Sequence, residues 1–247
     1  MNFRYPHLAA LLLLLMACQP NKPTAMEIVN NCIQAHGGEL YEHSVIDFDF
    51  RGRHYKLERN RGQFAYHRTF TDSTGIYHDI LRNSSFERTV QDSIVELDDQ
   101  WIGRYSNSVN SVAYFALLPF GLNDPAVHQQ LLADEEIRGK WYFKIRVTFS
   151  QEGGGEDFED VFVYWINKET FLVEYFGYSY LTEGGGIRFR EAINQREVGG
   201  IIFSDYMNYE GAKANTDVEG LAQKFLSNQL SKLSEIFLEN LEVGRIK

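Results

Sequence analysis

From Trp141 to Tyr209 the chain runs through five successive segments of alternating or continuous apolar character, and every connection between them is short. Trp141 to Phe149 sets Trp, Phe, Ile, Val and Phe against Tyr, Lys, Arg and Thr. Asp160–Ile166, Phe171–Tyr180, Ile187–Arg196 and Ile201–Tyr209 follow. The breaks between segments are turn chemistry: Gln151 to Asp157, Asn167-Lys168-Glu169-Thr170, Glu183 to Gly186, and Gly199-Gly200. Parallel strands need crossovers of a dozen or more residues, so connections this short force an antiparallel meander. Phe162, Val163, Tyr164 and Trp165 are apolar in a row and fill both faces of their strand. A sheet wet on one side needs only alternate apolar residues. Here one face is expected to meet helices and the other a core or a ligand.

The first half carries the same period of two. Ile46, Phe48 and Phe50 alternate with Asp47 and Asp49, and His54–Glu58, Gln63–Phe70, Ile76–Arg82 and Phe86–Val90 continue the pattern between polar turns. Before it stands a short helix. Thr24 and Glu27 form a capping box, Met26, Val29, Cys32 and Ile33 make an apolar stripe, and Gly37-Gly38 supplies the stop. Trp101, Tyr105, Val109, Val112 and Phe115 recur at helical spacing up to Pro119, and Asn123-Asp124-Pro125 reads as a second helix start. Residues 98–133 are therefore expected to be a helical insertion covering one sheet face. The tail from Val218 to Leu230 reads as helix, while Ile236 to Val243 fits a continued helix or a last strand equally. No linker or repeat divides the chain, and residues 24–247 are read as one domain.

The N-terminus is an export signal in its pattern. Arg4 precedes an uncharged run from Leu8 to Ala17, about half of the roughly twenty residues a membrane span requires. The run ends in Leu15-Met16-Ala17-Cys18, which resembles the lipobox of bacterial lipoproteins. That resemblance implies cleavage after residue 17 and lipidation at Cys18, with residues 18–23 as a proline-broken tether. The expected location is the periplasmic face of the outer membrane, held by the lipid anchor. Once Cys18 is lipidated only Cys32 is left, so no intrachain disulfide can form, and Cys32 is expected in the core. The formal net charge of −10 argues against nucleic acid as a partner. Aromatics make up 14% of residues, as suits a β-rich fold.

Catalytic signatures are missing: no nucleophile elbow, P-loop, zincin helix or cysteine pair at zinc spacing occurs. No cofactor and no metal is expected. His54, His67 and His78 lie on successive strands, but solvated strand histidines account for them better than a metal cluster. Asp47 and Asp49 share a strand face, and with His54 they are the acid–base candidates if the protein is an enzyme. Arg188 and Arg190 share a face with Ala192, opposite Ile187, Phe189 and Ile193. Such a pair suits a carboxylate or phosphate head group, or ion pairs with Glu174 or Asp205 on neighbouring strands. Glu191 falls on the apolar side and needs a partner if buried.

Three stretches carry a family resemblance: the helix ending in His36-Gly37-Gly38 with Glu39-Leu40-Tyr41-Glu42 after it, Tyr164 to Val173, and Ile201 to Tyr206. They resemble the exported lipoprotein carriers LolA and LolB. The whole mature chain, including Leu118 to Pro125, more closely resembles an uncharacterised family of Gram-negative lipoproteins. The resemblance implies an α+β fold: a curved antiparallel sheet, a half-open β-barrel, with helices across its concave face. With the two-sided strands, it implies a binding module for an acyl chain, lipid or lipoprotein. The expected pocket residues are Trp101, Phe115, Trp165, Tyr175 and Phe203, with Arg188 and Arg190 as anion ligands. A structural or partner-binding envelope protein is the second reading, and an enzyme the third.

Overall fold

The computed structural model describes residues 22–152, 158–181, 184–212 and 217–246. The signal, Cys18, and the glycine turn at 153–155 lie outside them. Helix α1 (Ala25–His36) begins with the expected capping box, Thr24 accepting from the Glu27 amide and Glu27 from the Thr24 amide. It stops at Gly37, whose φ of 142° suits glycine and whose missing Cβ would lie 3.0 Å from Ile201 Cγ1. A 3-10 turn, Gly38–Glu42, leads into the strands.

Two curved antiparallel sheets follow. The first contains β1 (His43–Phe50), β2 (Arg53–Asn60), β3 (Gln63–Asp72), β4 (Gly75–Arg82), β5 (Phe86–Val90) and the short β6 (Ser93–Ile94), in chain order. Helix α2 (Asp99–Leu117) comes next, capped by Asp98 accepting from the Trp101 amide at 2.9 Å. The second sheet contains β7 (Val127–Leu131), β9 (Lys140–Phe149), β10 (Val161–Asn167), β11 (Val173–Tyr180), β12 (Gly186–Val198), β13 (Ile201–Glu210) and β14 (Ser231–Ile236), with β8 (Glu135–Ile137) paired to β9. Between β13 and β14 lies the short α3 (Leu221–Leu226). The last strand, β15 (Glu239–Arg245), leaves the second sheet and pairs with β1 at the edge of the first. Arg196 fixes that corner: it bonds the Leu238 carbonyl at 2.7 Å and Asp205 at 3.1 Å, while Asp205 accepts from the Leu238 amide at 2.9 Å.

Two helical expectations are corrected. Residues 98–133 are not helical throughout: α2 ends at Leu117, residues 118–126 form turns, and Val127–Leu131 is a strand. Asp124-Pro125 has the composition of a helix start, yet Asp124 closes a turn onto the Val127 amide at 2.9 Å. Val127 to Leu131 then pairs with Phe149 to Ile145, so a ladder to β9 replaces local helix hydrogen bonds. The tail likewise keeps only one short helix, Leu221–Leu226, and residues 231–236 and 239–245 are strands. Among the described residues no helix is long and apolar enough to cross a membrane.

Both helices α1 and α2 lie on the concave side. Val109, Ala113, Ala116 and Leu117 of α2 pack on Ile46, Phe48, Tyr55, Leu57 and Tyr66 of the first sheet. Tyr114 and Phe115, on the other flank of the same helix, meet the second sheet beside Ile28, Val29, Cys32 and Ile33 of α1. The second sheet's opposite face is covered by Leu221, Ala222 and Phe225 of α3 and by Ile137, which explains why its strands are apolar on both sides. Cys32 is fully buried and free, and burial pushes its thiol pKa far up, as expected of a core residue.

Candidate functional site

Register across the second sheet decides which side chains share its concave face. One row runs Ile145, Tyr164, Phe176, Arg190, Asn208 and Ser234, each opposite the next on the neighbouring strand. The adjacent row runs Val147, Phe162, Tyr178, Arg188 and Glu210. In these two rows the face is therefore apolar and aromatic from β9 to β11 and polar on β12 and β13, while Ala192 and Tyr206 beside them belong to the core. Rings tile the apolar part: Phe162 and Tyr178 lie 5.0 Å apart, Tyr164 and Phe176 5.7 Å. From above, Phe115 stacks on Phe176 at 5.8 Å, and Tyr114 meets Phe162 edge-on at 5.7 Å.

Arg190 marks the boundary. It is 8% exposed, and its guanidinium lies 4.0 Å from the Phe115 ring centre and 5.3 Å from that of Phe176. One Nη donates to the Tyr178 hydroxyl at 3.0 Å, while Nε is buried with no partner. Among the described residues no carboxylate pairs with it. Other arginines have carboxylate partners: the buried Arg68 and Arg88 share Asp79, and the partly buried Arg59 bonds Glu42. In the same row, Asn208 is buried and donates to Ser234 at 3.1 Å, but its amide oxygen is unpartnered. Two buried polar groups with spare hydrogen-bonding capacity thus sit opposite each other at the end of an aromatic wall.

Burial, offset in part by the Arg190 charge, raises the Tyr206 pKa to about 12, and burial raises that of Tyr164 well above the ordinary phenol value. Tyr114 and Tyr164 share a hydrogen bond of 2.7 Å. These phenols are neutral hydrogen-bonding groups at ordinary pH.

The predicted pocket residues separate. Phe115 and Arg190 are in contact, and Arg188 lies in the next row, over the Tyr180 ring at 5.2 Å. Trp165 and Tyr175 are on the opposite face of the same strands, under α3, where the Trp165 indole donates to Glu135 at 2.8 Å. Phe203 belongs to the core of the first sheet. Trp101 is exposed on the first turn of α2, stacked on Tyr105 at 5.3 Å. Neither arginine takes the expected ion pairs. Glu174 is occupied by Lys140, Tyr142 and Asn167, and Asp205 by Arg196, because the register sets Arg188 opposite Tyr178 and Glu210 and Arg190 opposite Phe176 and Asn208; Arg188 approaches Glu210 at 3.8 Å. Glu191 does find its partners, Arg138 and the Tyr209 hydroxyl. Asn208 was not visible as a site residue in the sequence, since its place opposite Arg190 depends on strand register.

On the outer face of the first sheet, His54 bonds Asp49 at 2.9 Å and approaches Asp47 at 3.5 Å, all partly exposed. His67 and His78 are 3.1 Å apart on the neighbouring strands. Among the described residues no group of three His, Cys, Asp or Glu is placed to hold a metal.

An open pair of curved antiparallel sheets with helices on the concave side is the LolA-like fold. A LolA superfamily protein from Nitrosomonas europaea superposes with a TM-score of 0.51 at 12% identity, covering 92% of this chain and 94% of that one. A DUF1329 family protein from Desulfovibrio piger (TM-score 0.49, 10% identity, 90% and 93% coverage) is similar to it as well. So is an outer membrane lipoprotein-sorting protein domain, so described as putative, from Vibrio parahaemolyticus (0.48, 10%, 89% and 92%). No curated protein matches the sequence. The chain belongs to DUF6503, a family of unknown function whose model matches residues 7–238.

Proposed function

We propose that this protein is an envelope lipoprotein, anchored through Cys18 at the periplasmic face of the outer membrane, that binds an apolar or amphipathic ligand against the concave face of its second sheet. The ligand class is an acyl chain, a lipid, or the lipid part of a lipoprotein. The observation that carries the reading is the aromatic wall of Phe162, Tyr164, Phe176 and Tyr178, which ends at the buried Arg190. A core with only a packing role gains nothing from an unpaired cation at its edge, because burying it costs free energy that an apolar residue would not. The LolA-like fold supports the reading by offering helices and sheet as two walls of one site. The half-buried Tyr178, Tyr180 and Arg188 mark the accessible end of the wall.

The test is native mass spectrometry of the full-length protein released gently from membranes, before and after incubation with acyl lipids. Co-purifying lipid, or stoichiometric uptake that Phe176→Asp abolishes, is the expected result. A protein that carries no lipid and takes up none overturns the reading and leaves a structural, partner-binding role.

A further inference from the structure

We propose that the ligand of this site is an amphiphile with a compact anionic head, a carboxylate or a phosphate ester, held by Arg190 while its chain lies along the aromatic wall; this rests on the binding function proposed above. Three observations converge on it. First, Arg190 is the buried arginine left without a carboxylate among the described residues, whereas Asp79 serves Arg68 and Arg88 and Glu42 serves Arg59. Its contacts are the faces of Phe115 and Phe176 and the Tyr178 hydroxyl, which leave its Nε unbonded. The edge formed by Nε and Nη2 is the fork that receives two oxygens of a carboxylate or phosphate; of these two donors Nε is unbonded and Nη2 bonds the Tyr178 hydroxyl. A ring quadrupole stabilises a guanidinium without neutralising it, so the charge remains available to an anion.

Second, the Asn208 amide stands opposite Arg190 with one polar atom unpartnered. Ser234 can donate or accept, so the amide can rotate and turn its NH2 to a head group while its oxygen accepts from the Ser234 hydroxyl. Third, the row beyond Arg190 is free of charge: Phe176, Tyr164 and Ile145 follow on successive strands. Three strand spacings of about 4.8 Å give about 14 Å, the length of an acyl chain of about a dozen carbons. Charge at one end and an apolar wall of that length describe an amphiphile rather than a neutral oil or a free anion.

The experiment compares ligands that share a chain and differ in the head. Full-length protein in nanodiscs of zwitterionic phospholipid is titrated calorimetrically at pH 7.5 with laurate, dodecyl phosphate, dodecanol and inorganic phosphate, with empty discs subtracted. Laurate, dodecyl phosphate or both are expected to bind at least tenfold tighter than dodecanol, and inorganic phosphate far more weakly than either; the order of the two heads identifies carboxylate or phosphate. Arg190→Gln is expected to bring the preferred acid down to the level of dodecanol and leave dodecanol unchanged, while Arg190→Lys recovers part of the preference. Equal affinity for acid and alcohol in the unmodified protein overturns the head-group assignment and leaves the apolar site standing. Inorganic phosphate binding as tightly as dodecyl phosphate, or an Arg190→Gln protein that keeps the preference, overturns it also. No binding of any twelve-carbon compound sinks both proposals together. The acid–alcohol comparison needs no variant, so poor folding of Arg190→Gln does not shield the idea.

Discussion

Replacing Asp79 by Asn removes one charge from the middle of the first sheet and changes almost no volume. Asp79 is fully buried, and four guanidinium nitrogens converge on it: Arg68 Nε at 2.8 Å and Nη2 at 2.7 Å, Arg88 Nε at 2.6 Å and Nη2 at 2.9 Å. The arginine side chains are 2% and 7% exposed, so solvent cannot take over the role of the carboxylate. Both also anchor α2: Arg68 bonds Ser108 at 2.7 Å, and Arg88 lies 3.5 Å from the Tyr105 ring centre. Breaking a buried pair from one side costs about 3–5 kcal/mol, and here one carboxylate serves two cations, which places the loss toward the upper end. Against a total stability of about 5–15 kcal/mol this is a large fraction. It corresponds to a fall in Tm of about 6–20 °C for a chain of this size. Urea unfolding followed by tryptophan fluorescence measures it, with Glu235→Gln as the control. Glu235 pairs with Lys232 at the surface, and its loss is expected to cost under about 1 kcal/mol. The combined replacement Arg68→Met, Asp79→Leu, Arg88→Met is expected to recover most of the stability, since no buried charge is left over. If Asp79→Asn costs less than about 1 kcal/mol, the cluster is hydrated in solution and the argument from burial is wrong.

Burial lowers the His36 pKa from 6.5 to about 4, although its bond to the Cys32 carbonyl at 2.9 Å opposes the shift. The unfolded chain therefore binds a proton that the folded chain rejects: stability is full above about pH 6.5 and falls as pH drops toward about 4, by about 3 kcal/mol. His36→Asn cannot titrate there, so the difference between the two proteins in chemical denaturation at pH 7 and pH 4.5 isolates this contribution; parallel pH curves would refute it. A Cβ on Gly177 would lie 2.5 Å from Leu221 Cδ1 and 3.2 Å from the Arg188 carbonyl oxygen. Gly177→Ala is expected to cost about 1–3 kcal/mol and to speed amide exchange in residues 221–226 first; unchanged exchange there would show that α3 is not seated as described. Cys18→Ser is expected to move the protein from the membrane pellet to the soluble fraction; persistence in the pellet would remove the lipid anchor.

Local chemistry alone determined a good part of this protein. The Thr24–Glu27 box, the glycine stop after His36, the alternation in β1 to β5 and the short turns of the second half specify antiparallel strands without any tertiary information. Their signals are carried by residues adjacent in the chain. The misread segments are those where a distant partner overrides a local preference. Asp124-Pro125 looks like a helix start, but the edge of β9 offers Val127–Leu131 a ladder, and residues 231–236 are taken up by β13 in the same way. The site divides along the same line. The sequence shows that Tyr164 and Trp165 point to opposite faces, since side chains alternate along a strand, but both faces are apolar and nothing local says which one meets α2. Register across four hairpins, with irregularities at Ile193–Arg196 and Asn208–Tyr209, puts Asn208 opposite Arg190, which lies beneath Phe115, and sends Trp165 and Tyr175 to the far side. Strand identity is a property of a few neighbouring residues. The company an arginine keeps is a property of the whole sheet.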